Sequence, residues 1–431
     1  MTAAGPGETA EVAIARIAAF ERGRLLSILV GALKDFQLAE DSLQDALESA
    51  LLHWRRSGLP QNPAAWLVEV ARRKAVDRLR RAQRFQTKSG EIVFLLENAI
   101  AVASAEPEVV EDERLKLILI CCHPALDRKT SVALTLRSVL GLSTEAVADA
   151  FLDGHDAMAQ RLVRARQKIA RAGIPFAVPA PSEWPDRLEG VLAVIYLAFN
   201  EGYAASGETL IRVDLCDEAI RLGRLMLELS PGEPEAEGLL ALMLLHHARS
   251  GTRTGADGIL LTLEAQDRSL WRKSEIAEGA GILEKALRRG RPGPYQLQAA
   301  IAALHAEAPS FAATDWPQIA ALYALLAETG DNPVHALNRI AALSYVEGSE
   351  AALSRLKPIA PALVRYQPFH ALHADLLLRT GANAAAAIAY RQAIALSGSE
   401  PERRFLRARL EDCLNRGPDG AGTVSASEGR E

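Results

Sequence analysis

From Gly141 to Ile169 the chain reads GLSTEAVADAFLDGHDAMAQRLVRARQKI. This stretch leaves little choice of local structure. Ser143 or Thr144 is suited to cap a helix by accepting from a free backbone N–H. Ala146, Val147, Ala150 and Phe151 then recur at helical spacing. Asp153, Gly154, His155 and Asp156 interrupt the pattern, and Gly154 can supply a positive φ. A second helix is expected from about Ala157. Its buried face is Met158, Leu162, Ala165 and Ile169; its other face carries Gln160, Arg161, Arg164, Arg166, Lys168 and Arg171. Two short helices joined by a tight turn cannot be rebuilt as strands.

This layout is that of a helix-turn-helix, whose second helix enters the DNA major groove. Arg and Gln read base edges there, and Arg and Lys also hold phosphates. The competing reading is a solvated, positively charged helix hairpin. The net charge of −5 gives no sign of nucleic-acid binding, but the charge is unevenly placed. Trp54 to Lys88 holds ten basic residues and two acidic ones, and such local blocks are the relevant footprint.

Ala and Leu dominate, aromatics make up 5%, and no alternating strand pattern persists, so an all-α fold is expected. A helix over 12–33 is followed by a break at Lys34 to Leu38. The next helix, AEDSLQDALESALLHW, places Leu43, Ala46, Leu47, Ala50 and Leu51 inward and Glu40, Asp41, Gln44, Asp45 and Glu48 outward. Gly58 and Pro60 end it. Asn62 caps a third helix with Pro63 at its first position; Trp66, Leu67, Val70, Val76 and Leu79 mark its core, and Arg72, Arg73, Lys74, Arg78, Arg80, Arg81 and Arg84 form a basic run. Cys121, Cys122, Cys216 and Cys413 lack the spacing of a metal site and are expected to be buried reduced thiols. His123 reads as a turn residue. No metal or other cofactor is implied. With no signal peptide and no long apolar run, a soluble, cytoplasmic protein without membrane contact is expected.

In order and spacing, residues 12–172 resemble RNA polymerase sigma factors of the sigma-70 family, of the extracytoplasmic-function (ECF) type. The resemblance rests on AEDSLQDALESAL, the basic helix after Asn62 and the helix-turn-helix. It implies a region-two domain over 12–84, a linker over 85–111 and a region-four domain over 112–172. Asp41, Gln44 and Asp45 fall where the family binds the clamp helices of the polymerase β′ subunit; the β flap is the partner implied for region four. Asn62, Trp66, Arg72, Arg73, Lys74, Arg78 and Arg81 fall where the −10 element is melted and read. Gln160, Arg161, Arg164, Arg166 and Lys168 fall where the −35 element is contacted. Ala159 and Val163 depart from the side chains frequent at their positions, so no promoter sequence is transferred.

A Pro-rich joint over 173–185 leads to residues 186–415. These carry helix pairs resembling tetratricopeptide repeats, with Pro333 and Pro368 aligned near that repeat's period. The sigma subgroup with this extension shares FNEGYAAS and GPYQLQAAIAALHAEA. Asn200, Glu201, Gly202 and Tyr203 read as a polar turn, with Asp257, Gly258, Glu264, Asp267 and Arg268 as a second polar cluster. Residues 416–431 are expected to be a disordered tail. The acidic balance of the C-terminal half points to a protein partner or an intramolecular contact with the basic helices, and a regulatory role is expected. The sigma reading implies core RNA polymerase and promoter DNA as partners and no catalysed reaction. Its rival is a helix-turn-helix regulator or scaffold that acts without polymerase. No phosphate loop, metal motif or nucleophile elbow supports an enzyme.

Overall fold

The computed structural model describes residues 9–83, 113–172 apart from 124, 140 and 152, and 184–416 apart from 206–208 and 331. The expected linker, most of the Pro-rich joint and the tail after Arg416 lie outside these residues. Among the described residues there are twenty α-helices and no strand, only a single bridge between Thr254 and Leu260. The all-α expectation holds. The chain forms two units, residues 1–198 and 199–431.

The first unit opens with α1 (Ala10–Phe20), α2 (Arg22–Leu33), α3 (Phe36–Ser57) and α4 (Pro63–Gln83). The single helix expected over 12–33 is broken at Glu21, whose ψ of −7° interrupts the ladder. Lys34 ends α2 in the left-handed region at φ 55°, and the Asp35 carboxylate caps α3 by accepting from Leu38 N at 2.9 Å. Gly58 takes φ 78°, open to glycine at little cost, and stops α3. Asn62 Oδ1 accepts from Ala65 N at 3.1 Å, so the expected cap forms. Leu25, Leu26, Leu29, Leu43, Ala46, Trp54, Leu67, Ala71 and Ala75 are buried between the four helices. Leu51, expected inside, lies at the surface with 37% exposure.

Four further helices follow in this unit: α5 (Glu113–Cys121), α6 (Arg128–Ser138), α7 (Thr144–Ala150) and α8 (His155–Ala172). Leu117 to Cys122 are all buried, so the C-terminal half of α5 is covered on every side. Asp127 caps α6 through Thr130 N at 2.9 Å, and His123 Nδ1 accepts from Ala125 N, making it the expected turn residue. Ser143 Oγ caps α7 by accepting from Ala146 N at 3.0 Å. Gly154 does not adopt the positive φ expected of it; Gly141, at φ 72°, does. Helix α9 (Trp184–Tyr203) starts in this unit, where Arg187 donates to the Leu119 carbonyl at 3.2 Å.

The second unit takes up the end of α9 and continues through α10 (Val213–Leu229), α11 (Pro234–His247), α12 (Lys273–Leu287), α13 (Pro294–Glu307), α14 (Trp316–Glu328), α15 (Pro333–Leu343), α16 (Ser349–Leu356), α17 (Ala360–Leu363), α18 (Gln367–Arg379), α19 (Asn383–Leu396) and α20 (Glu400–Asn415). Helix α11 lies at its centre, with Leu239 to Leu245 buried. The aligned sequence pairs become α15/α16 and α18/α19, with Gly348 at φ 91° and Gly381 at φ 81° in the corresponding turns. Asn200 to Tyr203 form the last turn of α9 rather than a polar loop. A Cβ at Gly202 would meet Cys216 N at 2.9 Å, so glycine permits the crossing of α9 and α10. The polar stretch after α11 is a structural stitch. Arg253, Arg268 and Arg272 donate to carbonyls at or just past the ends of α9, α13 and α11, where cations meet the negative end of the helix dipole.

Candidate nucleic-acid and polymerase interface

Helix α8 separates its residues as the sequence predicts. Met158, Leu162, Ala165 and Ile169 are buried at 4% exposure or less. Gln160, Arg164 and Lys168 are exposed. Arg161 is half-buried, its guanidinium 3.3 Å from the Asp153 carboxylate, which Lys129 also approaches at 3.1 Å. Arg166 turns inward, and its Nε lies 2.8 Å from Glu40 Oε2. Of the five basic or amide side chains expected to meet DNA on α8, three face outward and two are held by carboxylates of the protein.

Helices α3 and α4 show the same division. Asn62, Arg73 and Arg81 are exposed and Lys74 is half-exposed. Arg73 pairs with Glu69 one turn away at 2.8 Å, a solvated pair of little strength. Trp66 is half-buried, stacked on His53 at 5.6 Å between ring centres and edge-on to Trp54 at 5.3 Å. It presents part of its ring beside the Asn62 cap, where an unstacked base could rest.

Of the expected DNA set, one further member is buried and another is paired within the protein. Arg72 is buried at 9% exposure. Arg78 bridges α4 to α3, with Nη1 3.1 Å from Asp41 Oδ2 and Nη2 2.8 Å from Asp45 Oδ2. Hydrogen bonding to Asp45 is the largest influence holding the Arg78 pKa above its usual value. Asp41 and Asp45 therefore already carry a cation on one side, while Gln44 and Glu48 beside them are exposed.

Glu40 departs from the sequence expectation. Placed outward by the helical pattern, it is 5% exposed. Arg22 Nη2 donates to its Oε1 at 3.2 Å and Ser138 Oγ approaches the same oxygen at 3.4 Å. Its neighbours from α6 and α8 lie about a hundred residues away in sequence, beyond the reach of periodicity. The signal available in the sequence was the placement of Arg166 one position after Ala165, at the edge of the apolar stripe.

All four cysteines are free and buried. Burial pushes Cys122 and Cys216 up to about 12, and Cys121 well above its usual value. Two results are expected. The folded chain at pH 8 should give no rapid reaction with a colorimetric disulfide reagent, and four thiols should appear in denaturant. The unfolded thiols ionise near their ordinary pKa of about 8.5 while the folded ones stay protonated. This contribution to stability is thus present below about pH 8.5 and is lost as pH rises toward 12. The thermal midpoint should fall between pH 8 and pH 10.

The part of this surface on α3 and α4 has a counterpart among known proteins. Residues 20–85, which include α2 to α4, match the Sigma-70 region 2 family. That domain supports a sigma-factor-like role in RNA polymerase binding and transcription initiation. Residues 187–287 match a family of unknown function, DUF6596. Over 400 residues the chain is 42% identical to "Uncharacterized protein R00370" of Rhizobium meliloti (strain 1021), spanning 90% of this chain and 93% of the relative, and it belongs to the same family as that protein. No described helix is long and apolar enough to cross a membrane.

Proposed function

We propose that this chain is an ECF-type sigma factor that recognises two promoter elements. Region two, α1 to α4, binds core polymerase through the α3 surface around Asp41, Gln44 and Asp45. It opens the −10 element with Asn62, Trp66, Arg73, Lys74 and Arg81. Region four, α5 to α8, sets α8 in the major groove of the −35 element through Gln160, Arg164 and Lys168, its outer end lying against the β flap. The observation that carries this reading is the two-sided α8, apolar at four consecutive turns and basic opposite, on a chain that matches region 2.

The repeated helix pairs after α9 form a tetratricopeptide-like extension that adjusts activity through a protein partner. Its support is that the 42% identical relative is matched over nearly the whole chain, extension included. A stand-alone regulator, the rival reading, would have no use for region two.

The test is permanganate footprinting on DNA upstream of the chain's own coding sequence, with core polymerase present. Thymines about ten bases before the start should become reactive only when the chain is added. A chain that binds core polymerase yet leaves every thymine unreactive contradicts the promoter-opening role.

A further inference from the structure

Between α13 and α20 the second unit holds a cavity of about 790 Å³. One wall of it is aromatic. Trp316 of α14 stacks on Tyr345 at 4.2 Å between ring centres, and Phe311 meets the two rings edge-on at 5.2 and 5.4 Å. These rings are not sealed into the core: Tyr345 is 45% exposed, and Phe311, Trp316 and Tyr323 are half-buried. Next to them stand two cations. Arg379 of α18 lies over the Tyr345 ring, 4.9 Å from its centre, and its Nη1 donates to Ser344 Oγ at 3.1 Å. Arg409 of α20 donates to Asp375 Oδ1 at 3.1 Å, while Arg379 lies 3.8 Å from the same carboxylate.

Charge around the cavity is unbalanced. Two guanidiniums share Asp375. Across the aromatic wall from them, His305 of α13 meets Trp316 edge-on at 5.3 Å. Burial first, then the nearby Arg249 and Arg268, push His305 down to about 4, so its ring is neutral at neutral pH. Neither Arg249 nor Arg268 has a carboxylate at ion-pair distance among the described residues, and Arg268 Nη2 is buried with no partner. Against these cations the lining sets only Asp375 and the exposed Glu264. Asn338 of α15 also lines the cavity, half-buried, and its amide makes no hydrogen bond among the described residues.

We propose that this cavity binds a planar aromatic acid, a small molecule whose ring lies against the Trp316–Tyr345 wall and whose anionic group meets Arg379 and Arg409. Its volume falls within the range of about 300–1,000 Å³ typical of small-molecule sites, which are mostly apolar with a few placed polar groups. Aromatic walls select flat ligands, because ring quadrupoles favour offset-stacked and edge-on contact. A guanidinium already oriented by Ser344 and the Tyr345 ring offers a planar fork that fits a carboxylate. The surplus of cations over carboxylates favours an anion over a neutral ligand. An extended peptide would need backbone partners repeated along its length, and Asn338 is the one amide side chain in the described lining. The site lies wholly within the second unit and does not depend on the polymerase reading.

The test titrates the full chain with anilinonaphthalene sulfonate, a planar aromatic acid that fluoresces on leaving water. The folded parent should show saturable binding. Naphthoate should displace the dye, and the uncharged naphthamide should do so at least about tenfold less well. Arg379→Gln and Tyr345→Ala should each weaken dye binding by about tenfold, with parental helical content and thermal midpoint. Glu264→Gln, an exposed change that leaves the packing alone, should tighten it by about twofold; it keeps the charge argument testable if either other variant unfolds. Dye binding that does not saturate, or that is unchanged in folded Arg379→Gln and Tyr345→Ala chains, would overturn the site. Equal displacement by naphthoate and naphthamide, or no tightening in Glu264→Gln, would overturn the preference for an anion. Displacement by an extended acidic decapeptide as readily as by naphthoate would make the cavity a peptide groove and overturn the small-molecule assignment.

Discussion

Replacing Arg164 and Lys168 together with alanine should lower initiation from a two-element promoter by about 30- to 1000-fold. Both residues are exposed on α8, and among the described residues neither has an ion-pair partner. Removing them therefore leaves the packing of Met158, Leu162, Ala165 and Ile169 intact. A base-reading arginine contributes about 1–3 kcal/mol and a phosphate lysine somewhat less. A combined loss of about 2–4 kcal/mol converts to that range of rates. The salt dependence should weaken too, its logarithmic slope falling by about one to two, because fewer counterions are released. Promoter binding measured against salt separates this from misfolding. Activity within about twofold of the parent would show that α8 is not the reading helix. Arg166 would make a poor first choice, since its removal also disturbs Glu40.

Trp54→Ala is expected to have the largest effect on stability. Trp54 is 2% exposed and meets Trp66 edge-on at 5.3 Å at the junction of α3 and α4. Truncating a buried tryptophan costs about 3–5 kcal/mol, a large share of the 5–15 kcal/mol typical of a folded domain. Denaturant unfolding should show region two lost first, at a clearly lower midpoint. Trp54→Phe should cost much less, since the buried indole N–H has no partner to lose. A Trp54→Ala chain with the parental midpoint would mean that this junction is not the core of region two.

Much of the site was legible in the sequence because local rules fix it. Caps such as Asn62 and Ser143 act within three residues, and the α8 stripe follows from a period of 3.6. What periodicity could not show was the competition among charges brought together by tertiary packing. Arg78 stands in a basic run that suggests DNA, yet Asp41 and Asp45 lie one helix away and claim it first. Arg72 stands in the same run, but the turn of α4 carries it beneath the surface. Glu40 has the spacing of a solvated residue; only the docking of α6 and α8 on α2 and α3 buries it. Gly154 had the composition of a left-handed turn, but the chain makes its positive φ at Gly141, before α7 instead of after it. Thus local geometry and burial patterns were readable, while the partners of Arg78, and those of Glu40 on α6 and α8, depended on contacts lying from 33 to 98 residues apart or further.

The measurement that bears most directly on the central claim is run-off transcription with purified core RNA polymerase, with and without the full chain, on DNA upstream of its own coding sequence, paired with a pull-down of core polymerase on the same preparation. The account predicts retention of core polymerase and a discrete transcript that appears only when the chain is added. No retention of core polymerase and no transcript would contradict it, and the basic helices would then have to serve a regulator that works without polymerase.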